Sequence, residues 1–289
     1  MQSYLFKITS FRSSTKAPPS EGLGRLFLVL LPIMILTDTH THLYSEQFDE
    51  DRTAMVQRAI NNGVTRLFLP NIDSSSIEGM LALQQQFPEN CFAMMGLHPT
   101  SVKENYLDEL QLVEQHLNQQ HFCAIGEIGI DLYWDKTYLK QQQDAFRIQI
   151  NWAKERNLPF VIHCRDSFNE IFEILDELND EKMCGIFHCF TGNIEQAKHI
   201  INYGGFKLGI GGVVTFKNSG LEQVLQQIDI SNLVLETDSP YLAPIPFRGK
   251  RNESSYIVNV AEKLSDIYQL PTQKIAEITT QNSVEVFGF

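Results

Sequence analysis

The chain has 289 residues, 43% hydrophobic and 20% charged, the composition of an ordinary globular protein with ample length for a large core. A formal net charge of −12 argues against a broad basic surface for duplex DNA or an anionic membrane, but not against a small basic pocket. The five cysteines (Cys91, Cys123, Cys164, Cys184 and Cys189) are odd in number and form no CxxC pair. Three of them lie in apolar strand-like runs, so free thiols in a reducing, cytoplasmic compartment are expected, with a Cys–His metal site as the alternative.

Residues 1–33 stand apart. They carry Lys7, Arg12, Lys16 and Arg25 ahead of an apolar run at 26–31. A basic stretch before an apolar one resembles a secretory leader, yet no small-residue cleavage site follows and the run is too short to span a membrane. The expected reading is an N-terminal extension or miscalled start, flexible in part around Pro18 and Pro19. The functional domain is then 34–289, opening at Met34.

From Met34 onward short apolar runs alternate with longer amphipathic stretches. Strands are expected at 33–38, 64–70, 91–96, 122–126, 160–163, 185–188, 206–210 and 232–236. Helices are expected at 50–62, 74–87, 107–119, 138–157, 167–178, 194–203 and 221–227, with two more at 254–268 and 272–287. Gly63 and Gly204 stand where helix C-caps belong, and Asn157-Leu158-Pro159 ends the fourth helix before a buried strand. Continuously apolar strands are buried on both faces and hence parallel. Eight βα units in about 250 residues predict an α/β fold of the (β/α)8 TIM-barrel type, with a doubly wound open sheet as the structural rival.

Barrel active sites are built where strands end. The first predicted strand runs into Asp38-Thr39-His40-Thr41-His42, which puts two imidazoles on one face, a pattern that suits a divalent metal. Glu127 follows the fourth strand between Gly126 and Gly129, His163 ends the fifth, His188 the sixth, and Asp238 follows the eighth. These residues can meet only if the sheet closes. Arg165 lies two residues past His163 and can fork onto a phosphate, or else pair with Asp166. His98-Pro99 closes the third strand as a phosphate contact or a structural turn. Arg248, Lys250 and Arg251 follow Asp238 as a short positive cluster in an acidic chain, serving substrate or simply solvated. Tyr133 and Trp134 can stack on a base or lie as a lid over the core.

These stretches resemble the TatD family of metal-dependent deoxyribonucleases, within the amidohydrolase superfamily. The resemblance rests on Thr37-Asp38-Thr39-His40-Thr41-His42-Leu43, Gly96-Leu97-His98-Pro99 and Ala124-Ile125-Gly126-Glu127-Ile128-Gly129-Ile130-Asp131. It continues through Ile162-His163-Cys164-Arg165-Asp166, Phe187-His188-Cys189-Phe190-Thr191-Gly192, the segment 236–244 and Arg248-Gly249-Lys250-Arg251-Asn252-Glu253. It covers the chain from Met34 to the end; Ser167 and Ser254 depart from the family's usual alanine and proline and supply no ligand.

The resemblance implies two divalent cations, one held by His40, His42 and Asp238, the other by His163 and His188, with Glu127 bridging. A bridging carboxylate keeps such cations roughly 3.5–4 Å apart, the spacing used for in-line phosphoryl displacement. Mixed His and carboxylate ligands suit Zn²⁺, Mn²⁺ or Fe²⁺, with Mg²⁺ admitted if it keeps waters. Bound water would fall in pKa from about 15.7 towards about 7 to give a metal-bound hydroxide, with Asp238 as general base. His98, Arg165, Arg248, Lys250 and Arg251 would contact substrate. The implied function is phosphodiester hydrolysis by a monomeric 3′→5′ exodeoxyribonuclease on single-stranded DNA, since an acidic protein with a narrow metal pocket suits strand ends better than duplex. The alternative is a metal-dependent amide or ester hydrolase such as a D-aminoacyl-tRNA deacylase. A barrel without turnover would show a substituted ligand, and none is substituted.

Overall fold

A computed structural model describes residues 34–289; the extension at 1–33, including the start of the first predicted strand, lies outside the described residues. The strands β1 (Leu36–Asp38), β2 (Val64–Pro70) and β3 (Cys91–Met94) form one parallel sheet in that order. A second parallel sheet runs β4 (Ile125–Asp131), β5 (Phe160–Arg165), β6 (Gly185–Phe187), β7 (Phe206–Ile210) and β8 (Leu233–Leu235). Between strands lie α1 (Arg52–Asn61), α2 (Ile77–Gln86), α3 (Tyr106–Gln119), α4 (Leu139–Arg156), α5 (Phe168–Leu178), α6 (Ile194–Asn202) and α7 (Leu221–Leu225). After β8 come α8 (Ile257–Tyr268) and α9 (Thr272–Phe287). No described helix is long and apolar enough to cross a membrane.

The architecture is α/β and of TIM-barrel type, but its ladder is interrupted twice. Between β3 and β4 the chain is joined by an isolated bridge at Met95 and Ile125, and by Cys123 N–H to Ala93 O (3.1 Å) and Gly126 N–H to Met95 O (3.1 Å). Between β8 and β1 the bridge is Thr41 to Ser239, helped by Thr39 N–H to Leu235 O (3.0 Å) and Asp238 N–H to His40 O (2.9 Å). Side chains strengthen this second seam, where the buried Asp38 carboxylate accepts the Thr237 N–H at 2.9 Å and its hydroxyl at 2.6 Å.

Alternation along the strands explains how one sequence supplies both a core and a polar rim. Val161, Ile186 and Val234 point into an inner apolar cluster with Phe68, Met94 and Ala124, to which α9 adds Val286 and Phe287. Phe287 stacks on Phe68 with ring centroids 3.9 Å apart. Phe160, Ile162 and Leu235 face the outer layer, against the helices. Successive side chains alternate between faces, so His163 and Arg165 continue the inward Val161 face, His188 the Ile186 face, and Glu236 and Asp238 the Val234 face.

The fourth strand departs from the sequence expectation. It runs from Ile125 to Asp131 rather than ending at 126, so Glu127 lies within it. A charged residue flanked by glycines reads as a break, yet the glycine is what permits pairing. Gly129 has φ +140°, and a Cβ there would sit 2.1 Å from the His163 carbonyl oxygen. All seven residues of the strand are buried, glutamate included. The cysteines match their expectation: all five are free thiols.

Arg251, expected to contact substrate, is bound within the fold. Its guanidinium clasps Asp51 with Nη1 and Nη2 at 2.7 and 2.8 Å and donates to the Gln47 carbonyl at 2.8 Å, tying the loop after β8 to the start of α1. Arg58 joins the network, donating to Asp51 at 3.1 Å and Glu253 at 2.7 Å. The charge read as a substrate contact is committed to an ion pair of the fold. Arg251 first, and Arg58, hold the Asp51 carboxyl down at about 2. A folded-state carboxyl held below its unfolded value near 4 adds stability that is fully present above pH ~4 and lost as pH falls towards 2. Arg251→Ala should therefore cost about 1 kcal/mol at neutral pH, as a partly exposed pair does. Thermal denaturation should show its Tm converging with the parent's near pH 2, and KM should not move.

Candidate metal centre

The site is assembled around one carboxylate. Glu127 is 1% exposed, and its two oxygens face two different sets of imidazoles. Oε2 lies 3.1 Å from His40 Nε2 and 3.6 Å from His42 Nε2. Oε1 lies 2.7 Å from His163 Nδ1, 3.1 Å from His188 Nε2 and 3.4 Å from His98 Nε2. Asp238 closes the His40–His42 side, with Oδ1 at 3.8 and 3.6 Å from the two Nε2 atoms. It occupies the left-handed region (φ +55°), a conformation that an aspartate tolerates and that turns the chain sharply after β8.

Three groups of side chains have ligand atoms close enough to share a cation. They are His40, His42 and Asp238; His98, Glu127 and His163; and His40, His188 and Glu236. None of these groups among the described residues contains a cysteine. His40 belongs to two of them because its ring stacks on His188, centroids 3.7 Å apart.

Hydrogen bonding assigns the tautomers. The Tyr44 hydroxyl donates its single hydrogen to the Pro70 carbonyl at 2.5 Å, so its oxygen accepts from His42 Nδ1–H at 2.8 Å and leaves the His42 Nε2 lone pair aimed at the centre. His163 donates Nε2–H to Asp131 Oδ2 at 2.9 Å, freeing Nδ1 towards Glu127. His188 faces Glu236 through Nδ1 at 3.3 Å and Glu127 through Nε2. A partner on the remote nitrogen orients a metal-binding imidazole and raises its basicity. His98 is the reverse case. The Thr100 N–H donates to its Nδ1 at 3.1 Å, so Nε2 carries the proton and presents a donor to the centre. That suits an anionic oxygen better than a cation.

The electrostatics fit bound cations. Burial alone would raise the Glu127 carboxyl, but His188, His40 and His98 hold it well below the usual carboxylate range. Burial lowers His42 strongly and His40 too, keeping both rings neutral with lone pairs to give. Against burial, Glu127 and Glu236 hold His188 well above the ordinary imidazole value, and Asp131 and Glu127 raise His163. The positive charge that a buried carboxylate demands is thus favoured on the two rings nearest Glu127 Oε1, where cations could take its place. Burial also pushes the Asp238 carboxyl up to about 7.

The centre opens into a cavity of about 1020 Å³ that is also lined by Arg165, Arg248 and Lys250. Arg248 lies over the Phe216 ring at 4.4 Å. Arg165 stacks on Tyr133 at 3.8 Å rather than pairing with Asp166. Arg251 is absent from the lining, its guanidinium being bound to Asp51. The sequence reading passed over Tyr44, Asp131 and Glu236, the partners of the histidines. The available signal was parity: Glu236 shares the inward face of Asp238, and Asp131 lies four residues past Glu127 in the same strand.

The sequence model of the family described as TatD related DNase matches residues 37–288. A metal-dependent hydrolase of Bacillus subtilis, YabD, is 38% identical over 254 residues, covering 88% of this chain and 99% of its own. A metal-dependent hydrolase of Haemophilus influenzae is 34% identical over 264 residues, covering 87% of this chain and 98% of its own. Among solved structures, the TatD homolog YjjV of Escherichia coli superposes with a TM-score of 0.83 at 28% identity, covering 89% of this chain and all of that one.

Asp131 provides a direct test of how the centre is held. Asp131→Asn should keep the fold but weaken divalent-cation affinity about 10- to 100-fold, the usual cost of losing an imidazole's outer partner. Calorimetric titration of metal-stripped protein with Mn²⁺ or Zn²⁺ measures this, and unchanged affinity would remove Asp131 from the centre.

Proposed function

We propose that this chain, which belongs to the family of TatD related DNases and is a metal-dependent hydrolase, removes nucleotides from the 3′ ends of single-stranded DNA. The observation that carries the reading is where the chain puts its positive charge. Its net charge is −12, yet Arg165, Arg248 and Lys250 all line the cavity that holds Glu127 and Asp238. Phosphates are what such a rim attracts, and a small basic cluster in an acidic protein favours a strand end over duplex, whose affinity depends on many neutralised phosphates.

In this reading His40, His42 and Asp238 would hold one divalent cation and His163 and His188 the other, with Glu127 contributing to both. When bound, the cations (Mg²⁺, Mn²⁺ or Zn²⁺) supply positive charge for the phosphoryl oxygens and an acidified water. Asp238 is the general base on geometric grounds. Its side chain is 15% exposed where that of Glu127 is 2% exposed, so it is the carboxylate able to pass a proton outward. His98 Nε2–H donates to an oxygen of the reacting phosphate, and Arg248 and Lys250 take neighbouring phosphates. Residues 34–289 carry the activity, in a monomer, inside the cell.

The test is release of label from a 3′-labelled single strand by protein loaded with Mn²⁺ or Mg²⁺. Glu127→Ala and Asp238→Asn should abolish release while circular dichroism and Tm stay those of a folded protein. Label left intact by the parent across a range of pH would end this reading. Arg248→Ala and Lys250→Ala should each weaken binding alike across sequences and reduce the slope of log affinity against log salt by about one.

A further inference from the structure

We infer that Trp134 and Arg165 form a stacking ledge for the unpaired nucleobase beside the scissile phosphodiester. The inference rests on the nucleic-acid reading above and adds how the substrate is gripped. Trp134 is 70% exposed and lines the metal cavity, which is the opposite of a ring laid down as a lid over the core. Beside it the Arg165 guanidinium lies 3.8 Å over the Tyr133 ring and 5.4 Å from the Trp134 centroid. Tyr133 and Trp134 meet edge to face at 4.9 Å. Held in this way, Arg165 offers a flat cationic face to a base and its edge nitrogens to the adjoining phosphate.

What makes this a subsite rather than a loose aromatic tip is its attachment. Asp131 Oδ1 accepts the Tyr133 and Trp134 amides at 3.0 and 3.1 Å, while Oδ2 of the same carboxylate accepts His163 Nε2–H at 2.9 Å. One side chain therefore sets the height of the ledge and the orientation of a residue at the centre. On the far side Asp135 pairs with Lys103 at 3.4 Å, pinning the loop to the one that follows β3. A base on the ledge is thus held at a fixed offset from the reacting phosphate. Every base has a π-face, so the ledge requires a base without choosing which.

The chain has two tryptophans, and the other, Trp152, is only 9% exposed, so quenching of tryptophan emission reports on Trp134. Metal-loaded protein is titrated with a phosphorothioate oligothymidylate, which keeps its bases and resists hydrolysis, and with the same backbone made abasic. The base-bearing strand should quench and the abasic strand should not. By anisotropy of a labelled strand, Trp134→Ala should raise Kd roughly 10- to 100-fold. Trp134→Phe, which keeps a ring but removes the emission, should restore binding to near the parent value. Equal binding of both strands, or unchanged affinity in Trp134→Ala, would overturn the ledge. Base-dependent quenching with no cleavage of an ordinary strand would leave the ledge standing and discard the exonuclease reading.

Discussion

Everything at the mouth of this barrel answers to one carboxylate removed from water. An isolated buried carboxylate costs several kcal/mol, and it persists only where opposite charge and donors surround it. Glu127 is surrounded on both oxygens, by His40 and His42 on one and by His163, His188 and His98 on the other. Those five rings come from the ends of β1, β3, β5 and β6, so the demand of one residue in β4 is met only by a sheet that curves back on itself. The closure of the sheet and the chemistry of the site are one constraint seen at two scales.

A second layer keeps the imidazoles pointed. Tyr44, Asp131 and Glu236 each address the nitrogen that turns away from the centre. Without them a ring could turn its lone pair aside at little cost. Asp131 is the most economical of these, because its other oxygen organises the backbone of the following loop. The acidic surface of the chain sharpens the contrast with the mouth, where Arg165, Arg248 and Lys250 gather.

Much of this was legible in the residues. The alternation of apolar runs with amphipathic stretches reads directly as βα units, and polar residues at the strand ends read as a rim. What escaped was set by tertiary context. The sequence marks Gly126-Glu127-Ile128-Gly129 as the end of a strand, because it does not reveal that His163 O must come where a Cβ at Gly129 would stand. Arg251 looked like a member of a substrate cluster with Arg248 and Lys250, since nothing in local order shows that Asp51, two hundred positions away, is its neighbour. Parity put Asp131 and Glu236 on the inward face, but not which imidazole each would meet, because that pairing is made between distant segments.

The two seams in the ring have a consequence for assembly. The ladder is missing between β8 and β1 and between β3 and β4. The group His40, His42 and Asp238 draws its members from either side of the first seam, and across the second His98 Nε2 lies 3.4 Å from Glu127 Oε1. That first group therefore sits as a clasp where the backbone stitching is thin. A cation held by both sheets at once would stand in for the missing rungs, and the three-stranded and five-stranded halves would then resist separation in proportion to how tightly, and at what concentration, that cation is held.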